Sequence, residues 1–220
     1  MLVKTSNTVL NNIINAALED SLSVGKESIN MPSGDFFYDP WIIKPEYNGT
    51  SWETLLNALP NNIGEARIIV MESPSCYTRH TDIDDRYHLN LSGDDSYLIN
   101  LQNNDMHRLS CDGIWYEMDA GLPHTAINIG KHNRVQLVVR KLLTRNALND
   151  SVSVSITAGG PNPRYNFDNT LSVWLNRAVK TNIVDNFKQT EAGVCFDVER
   201  NNISELKNII PREFKIETNL

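Results

Sequence analysis

Three rhythms of apolar and polar positions divide the chain. Near the start, Val9, Leu10, Ile13, Ile14, Ala17 and Leu18 recur at helical spacing. They predict an amphipathic helix with Thr5 or Ser6 as its cap. Residues 30–49 carry Pro32, Gly34, Pro40, Pro45 and Gly49 among aromatics and predict an irregular packed segment. Thr50 to Glu53 has the Thr-x-x-Glu form of a capping box and predicts a short helix ending near Pro60.

From Ala66 the period shortens to that of strands. The runs ARIIVM, RYHLNL, YLINLQ, MHRLS, IWYEM, HTAINI and RVQLVVRKL follow one another. Turn residues separate them at Gly93-Asp94-Asp95, Cys111-Asp112-Gly113, Gly121-Leu122-Pro123 and Gly130–Asn133. Asp112-Gly113 predicts a hairpin between its flanking strands. So many short strands in close succession imply a barrel or a sandwich. After Arg145 the pattern becomes strand (SVSVSITA), helix (Asp168–Lys180), strand (GVCFDV), helix (Asn202–Ile210) and strand (FKIE). This predicts a small α/β appendage over 146–220, following a domain over 1–145. The appendage has no Gly-rich phosphate loop, so no chemistry is assigned to it.

Composition narrows the class. The 220 residues are 40% hydrophobic and 21% charged, with a formal net charge of −7. No Lys/Arg cluster stands out, which argues against nucleic acid or an anionic membrane surface as partner. There is no apolar run of about 18 residues, so no membrane-spanning helix is expected. The three cysteines, Cys76, Cys111 and Cys195, form no C-x-x-C pair and favour a reducing compartment. The opening residues lack the uninterrupted apolar stretch of a signal peptide. A soluble cytoplasmic protein is the expectation.

The segment RHTDIDDRYHLNL (79–91) alternates in an unusual way. If it is one strand, His80, Asp82, Asp84, Arg86 and His88 share a face, while Ile83, Tyr87, Leu89 and Leu91 share the other. On a strand His80 and Asp82 would be roughly 6.6 Å apart, near enough for imidazole and carboxylate to share one ion. Taken alone, that motif is better accounted for by a surface His–Asp hydrogen bond. His124, after the Gly121–Pro123 turn, is a candidate third ligand and completes a two-His, one-carboxylate set. Arg134 opens an apolar strand ten residues later, and a short turn would place it beside the His124 strand. A buried guanidinium is costly unless it meets an anion, and its planar fork suits a carboxylate.

Other residues carry blander expectations. Asp84 and Asp85 suit a turn or a supporting pair; His107 and His132 suit exposed positions; Tyr97 and Trp115 suit the core. Tyr77 and Ser75 are candidate pocket residues, and Cys76 suits packing, with no His nearby to activate it.

The stretch YTRHTDIDDRYHLNL…YEMDAGLPHTAINIGKHNRVQLVV resembles the Fe(II)/2-oxoglutarate-dependent dioxygenases. It is most similar to their aspartyl/asparaginyl β-hydroxylase and L-proline cis-hydroxylase branch. The likeness spans roughly residues 64 to 143 and rests on His80, Arg86-x-His88 and His124-x-x-x-Asn128-x-Gly130…Arg134. It implies a mainly β fold with flanking helices, built on a double-stranded β-helix (jelly-roll, cupin-like) core. It further implies Fe(II) on His80, Asp82 and His124, and 2-oxoglutarate anchored by Arg134. Arg86 and His88 would sit by co-substrate or substrate, and Asn128 would support the distal histidine. The implied reaction consumes dioxygen and hydroxylates an unactivated C–H of a small-molecule or peptidyl substrate, an amino acid among the options. Two other readings stay open. One is a non-catalytic cupin-like metal-binding or structural module. The other is a cupin-type isomerase using His80, His88 and His124.

Overall fold

The computed structural model describes residues 2–24, 28–93, 95–157, 159, 171–190, 193–210, 212 and 214–219. The chain divides into two compact units, one of residues 1–79 and 84–142, the other of residues 80–83 and 143–220. The expected helix start at Asp168 and the Asp94 turn position lie outside the described residues.

In the first unit, β1 (Leu2–Thr8) and α1 (Asn11–Val24) precede β2 (Asn30–Pro32), β3 (Trp41–Ile43) and α2 (Ser51–Leu56). Strands β4 (Ile63–Met71), β5 (Ser75–Cys76), β6 (Arg86–Ser92) and β7 (Ser96–Asn100) follow, then β8 (Asp105–Arg108), β9 (Ile114–Met118), β10 (His124–Asn128) and β11 (Arg134–Lys141). A five-stranded antiparallel sheet has the order β1-β9-β6-β11-β4, and a four-stranded sheet has the order β5-β10-β7-β8. From β4 to β11 the chain therefore passes repeatedly from one sheet to the other.

The sheets sort their side chains by alternation. Tyr87, Leu89 and Leu91 of β6 join Leu137 and Val139 of β11 in one core with Ile14 and Ala17 of α1 and Trp52 and Leu55 of α2. Each such large side chain taken fully from water contributes about 1.5–3 kcal/mol. The opposite face of the five-stranded sheet looks toward the second sheet. There Met71 and Met118 pack with Leu98, Leu109 and Ala126 in a smaller core. Sharing that inner face are Arg86, His88 and Asn90 of β6 and Arg134, Gln136 and Arg140 of β11; the register aligns Arg140 with Arg86 and Gln136 with Asn90. The polar parity of RYHLNL is thus an interior face rather than a solvated one.

Local signals and pairing part company at several points. Residues 2–8, where a helix cap was expected, form β1 on the edge of the large sheet, and Thr5 donates its hydroxyl hydrogen to the Trp115 carbonyl. The capping box does not form: Glu53 accepts from the N–H of Gly49, one residue before the cap, at 2.6 Å, while Thr50 turns back to the Tyr47 carbonyl. Asp112-Gly113 makes a turn with Gly113 at φ 74°, but not a hairpin, because β8 and β9 belong to different sheets. A Cβ at Gly113 would come 2.3 Å from the Val9 carbonyl oxygen. Strands β10 and β11 are likewise in different sheets, so Arg134 is not a ladder neighbour of His124.

The second unit contains β12 (Ser151–Thr157), α3 (Ser172–Lys180), β13 (Val184–Gln189), β14 (Gly193–Glu199), α4 (Ile203–Ile209) and β15 (Lys215–Asn219). Its antiparallel sheet has the order β13-β14-β12-β15. The expected β-α-β-α-β lacked β13; with it the unit is β-α-β-β-α-β, the split β-α-β arrangement. Val152, Val154 and Ile156 alternate with Ser153 and Ser155, and bury one face with Phe187, Phe196, Leu175 and Leu206. β13 escaped notice because VDNFKQ is half polar and bulged, with Asn186 at φ 50°.

Candidate metal centre

His124 is the first residue of β10, delivered inward by the Gly121–Pro123 turn, and is buried. Its Nδ1 lies 2.8 Å from the Leu122 carbonyl oxygen. A carbonyl only accepts, so Nδ1 carries the proton and Nε2 keeps its lone pair for a ligand. His80 and Asp82 are half-buried in the irregular segment before β6. The strand assumed for 79–91 begins only at Arg86, so strand alternation does not position these two. Even so, His80, Asp82 and His124 each offer one ligand atom, and all three atoms lie within 4.8 Å of one another. This His-x-Asp…His triad fits one divalent ion: the donors are two imidazoles and a carboxylate, the set suited to iron and its neighbours when other coordination positions stay open. Among the described residues no other cluster of three such side chains meets this criterion, and His88 is not part of it.

His88 and Arg134 lie on the inner face described above, and each has buried nitrogens without a hydrogen-bond partner among the described residues. Both ring nitrogens of His88 are buried without a hydrogen-bond partner among the described residues. Burial pushes the His88 pKa down to about 3, and the positive fields of Arg134 and Arg86 act in the same direction. Gln136 opposes the shift without making a well-formed hydrogen bond to the ring. His88 is therefore neutral at physiological pH. Arg134 is 1% exposed, and its Nε and Nη1 have no partner among the described residues. Burial works against its charge, and Tyr77 is the neighbour that favours it.

Arg86 is differently placed. Buried Asp84 forms ion pairs with Arg86 and with Arg140, which lie side by side on β6 and β11. The Arg140 guanidinium also sits 4.1 Å from the ring centre of Phe36 and 4.6 Å from that of Phe37, a cation–π arrangement. Asp84 is thus a buried bridge between two arginines rather than a simple turn residue. Asn128 serves the backbone rather than His124: its Nδ2 donates to the Met71 and His132 carbonyls, both at 3.0 Å.

The remaining candidates separate by burial. His132 is exposed and Trp115 is fully buried, as expected, whereas Tyr97 is half-buried. His107 is half-buried rather than exposed and, with Leu98, Met118 and Leu122, lines a cavity that reaches His124. Cys76 is exposed on β5, which overturns a packing role, and Tyr77 beside it is also exposed. Sequence reasoning missed the partnership of Asp84 with Arg140. Arg140 lies on a chemically ordinary strand, and only the β6–β11 register brings it beside Arg86 and so to Asp84.

No protein-family model matches the sequence, and no curated protein matches it significantly. Among solved structures, the crystal structure of a Pseudomonas putida prolyl-4-hydroxylase is distantly similar, with a TM-score of 0.42 and 12% sequence identity, covering 64% of this chain and 92% of that one. No helix among the described residues is long and apolar enough to cross a membrane.

Proposed function

We propose that the protein is an Fe(II)- and 2-oxoglutarate-dependent oxygenase that hydroxylates an unactivated C–H bond. The observation that carries this reading is a pair of features: a His80/Asp82/His124 donor cluster, and a buried Arg134 guanidinium with two nitrogens lacking a protein acceptor among the described residues. A divalent ion supplies the acceptor for the first, and a carboxylate supplies the counter-charge for the second. A dicarboxylate keto acid satisfies both at once. The strand order supports it further. With β4 to β11 taken as strands one to eight, the sheets read one-eight-three-six and two-seven-four-five, the connectivity of a double-stranded β-helix, or jelly roll.

In this reading His80, Asp82 and His124 hold Fe(II), with His124 fixed in its ligating tautomer by the Leu122 carbonyl. Fe(II) bound there would activate dioxygen, the oxidant, with 2-oxoglutarate as electron donor; one oxygen atom would go to the substrate and the other to succinate, with carbon dioxide released. Arg134 orients the co-substrate by a fork-to-carboxylate contact in a site shielded from water. Neutral His88 offers either a donor or an acceptor to the same ligand without adding charge. Arg86, ion-paired with Asp84, shapes the wall beside it. The sequence resemblance favours an amino acid or a peptidyl residue as substrate.

The test is anaerobic addition of Fe(II) and 2-oxoglutarate, monitored for the weak visible charge-transfer band of the chelate. The band is expected in the wild type and absent in His124→Ala. Its absence from the wild type, or its persistence in His124→Ala, refutes the assignment. Succinate release across a panel of amino acids and peptides then identifies the substrate class.

A further inference from the structure

The tetrapeptide His80–Ile83 bears two of the three donors and lies in neither a strand nor a helix. Its own alternation therefore does not orient it. Helix α3, of the same compact unit, supplies what does. Thr81, between the two donors, is 3% exposed, and its hydroxyl is hydrogen-bonded to that of Ser172, 1% exposed, at the start of α3. One helical turn on, Asn176 is 4% exposed and donates its Nδ2–H to the Ile83 carbonyl at 2.8 Å. Positions 172 and 176 share a face of α3. One helix face thus grips the tetrapeptide on both sides of Asp82.

Both contacts are polar and buried, and a buried polar group without its partner costs about 1–3 kcal/mol. Packing alone would be served more cheaply by apolar side chains. The same helix uses apolar residues for packing, with Leu175 and Ala178 fully buried. The choice of a hydroxyl and an amide fixes direction. Ser172 holds the residue between the donors, and Asn176 holds the peptide that follows Asp82.

We infer that Ser172 and Asn176 are positioning residues for the His80–Ile83 segment that carries two of the metal donors. The inference rests on the metal-centre reading above. By linkage, a helix that favours the ligating geometry is itself stabilised when metal binds.

The experiment measures Co(II) affinity by titration calorimetry and by the Co(II) visible spectrum, using the full chain. Ser172→Ala and Asn176→Leu are expected to weaken Co(II) binding by about 10–100-fold, the usual loss when a group orienting a ligand is removed. Ser172→Thr, which keeps the hydroxyl, should bind nearly as the wild type does. Leu206→Ala, a buried change on α4 away from the tetrapeptide, serves as a control for destabilisation alone. In wild-type protein, Co(II) should slow hydrogen exchange of the α3 amides and leave those of α4 unchanged, a readout that requires no variant to fold. Wild-type affinity in Ser172→Ala and Asn176→Leu overturns the inference, as does an equal loss in Leu206→Ala or unchanged exchange in α3. If wild type and His124→Ala bind Co(II) alike, the metal-centre reading itself falls, which is a different result from wild-type affinity in the α3 variants.

Discussion

Replacing Arg134 by methionine should have two effects of opposite sign. The guanidinium is 1% exposed, with Nε and Nη1 lacking partners among the described residues. Replacing a poorly compensated buried charge by an apolar side chain of similar length stabilises a protein by roughly 1–4 kcal/mol. For a chain of this size each kcal/mol moves Tm by about 2–4 °C. The variant should therefore melt several degrees above the wild type when no ligand is present. Co-substrate binding should change the other way. Two charge-assisted hydrogen bonds are each worth about 1.5–3 kcal/mol, so their loss weakens 2-oxoglutarate by roughly 100-fold or more. Thermal melts with Mn(II) in place of Fe(II), with and without 2-oxoglutarate, read both effects. At a hundred times Kd the co-substrate adds about 2.7 kcal/mol to the wild type, and it should add almost nothing to Arg134→Met at the same concentration. A variant less stable than wild type without ligand would mean Arg134 is a structural residue whose charge is already compensated. A variant that keeps the full 2-oxoglutarate shift would remove Arg134 from the site.

Three further outcomes test the surrounding chemistry. Asp84→Ala strands Arg86 and Arg140, and should cost about 3–5 kcal/mol in denaturant unfolding; Asp84→Leu combined with Arg140→Met should recover most of that. His88 is held neutral to about pH 3, while in the unfolded chain it takes up a proton near pH 6.5. Its contribution to stability is therefore present above pH 6.5 and lost as pH falls toward 3, at up to about 1.4 kcal/mol per pH unit. The difference in unfolding free energy between wild type and His88→Gln should shrink by that slope across this window, and a pH-independent difference would refute a neutral buried His88. Gly113→Ala should lower stability measurably in thermal unfolding, because the backbone sits at φ 74° and the added Cβ meets the Val9 carbonyl.

The sequence by itself determined what depends on neighbours along the chain. Period-two alternation marked β6, β7, β9, β10 and β11, because successive side chains point to opposite faces of a sheet and in each strand the two faces meet different surroundings. The donor types were equally legible: His80, Asp82 and His124 are chemically distinctive, and the Gly121–Pro123 turn marks His124 as a strand start. The tertiary structure decided which strands pair and which way each face points. Asp112-Gly113 encodes a turn with φ above zero, but turn chemistry carries no information about whether the next strand stays in the same sheet, and here it crosses to the other. Alternation in RYHLNL separated two faces, but only the packing of α1 and α2 against Leu89 made the polar face the interior one. The edge strand β1 was hidden because half its residues face solvent and its pairing partner, β9, lies over a hundred residues away. The hold of Ser172 and Asn176 on the His80–Ile83 segment was invisible for the same reason. A serine and an asparagine on a helix are unremarkable until long-range folding buries them against the carbonyl and hydroxyl they serve.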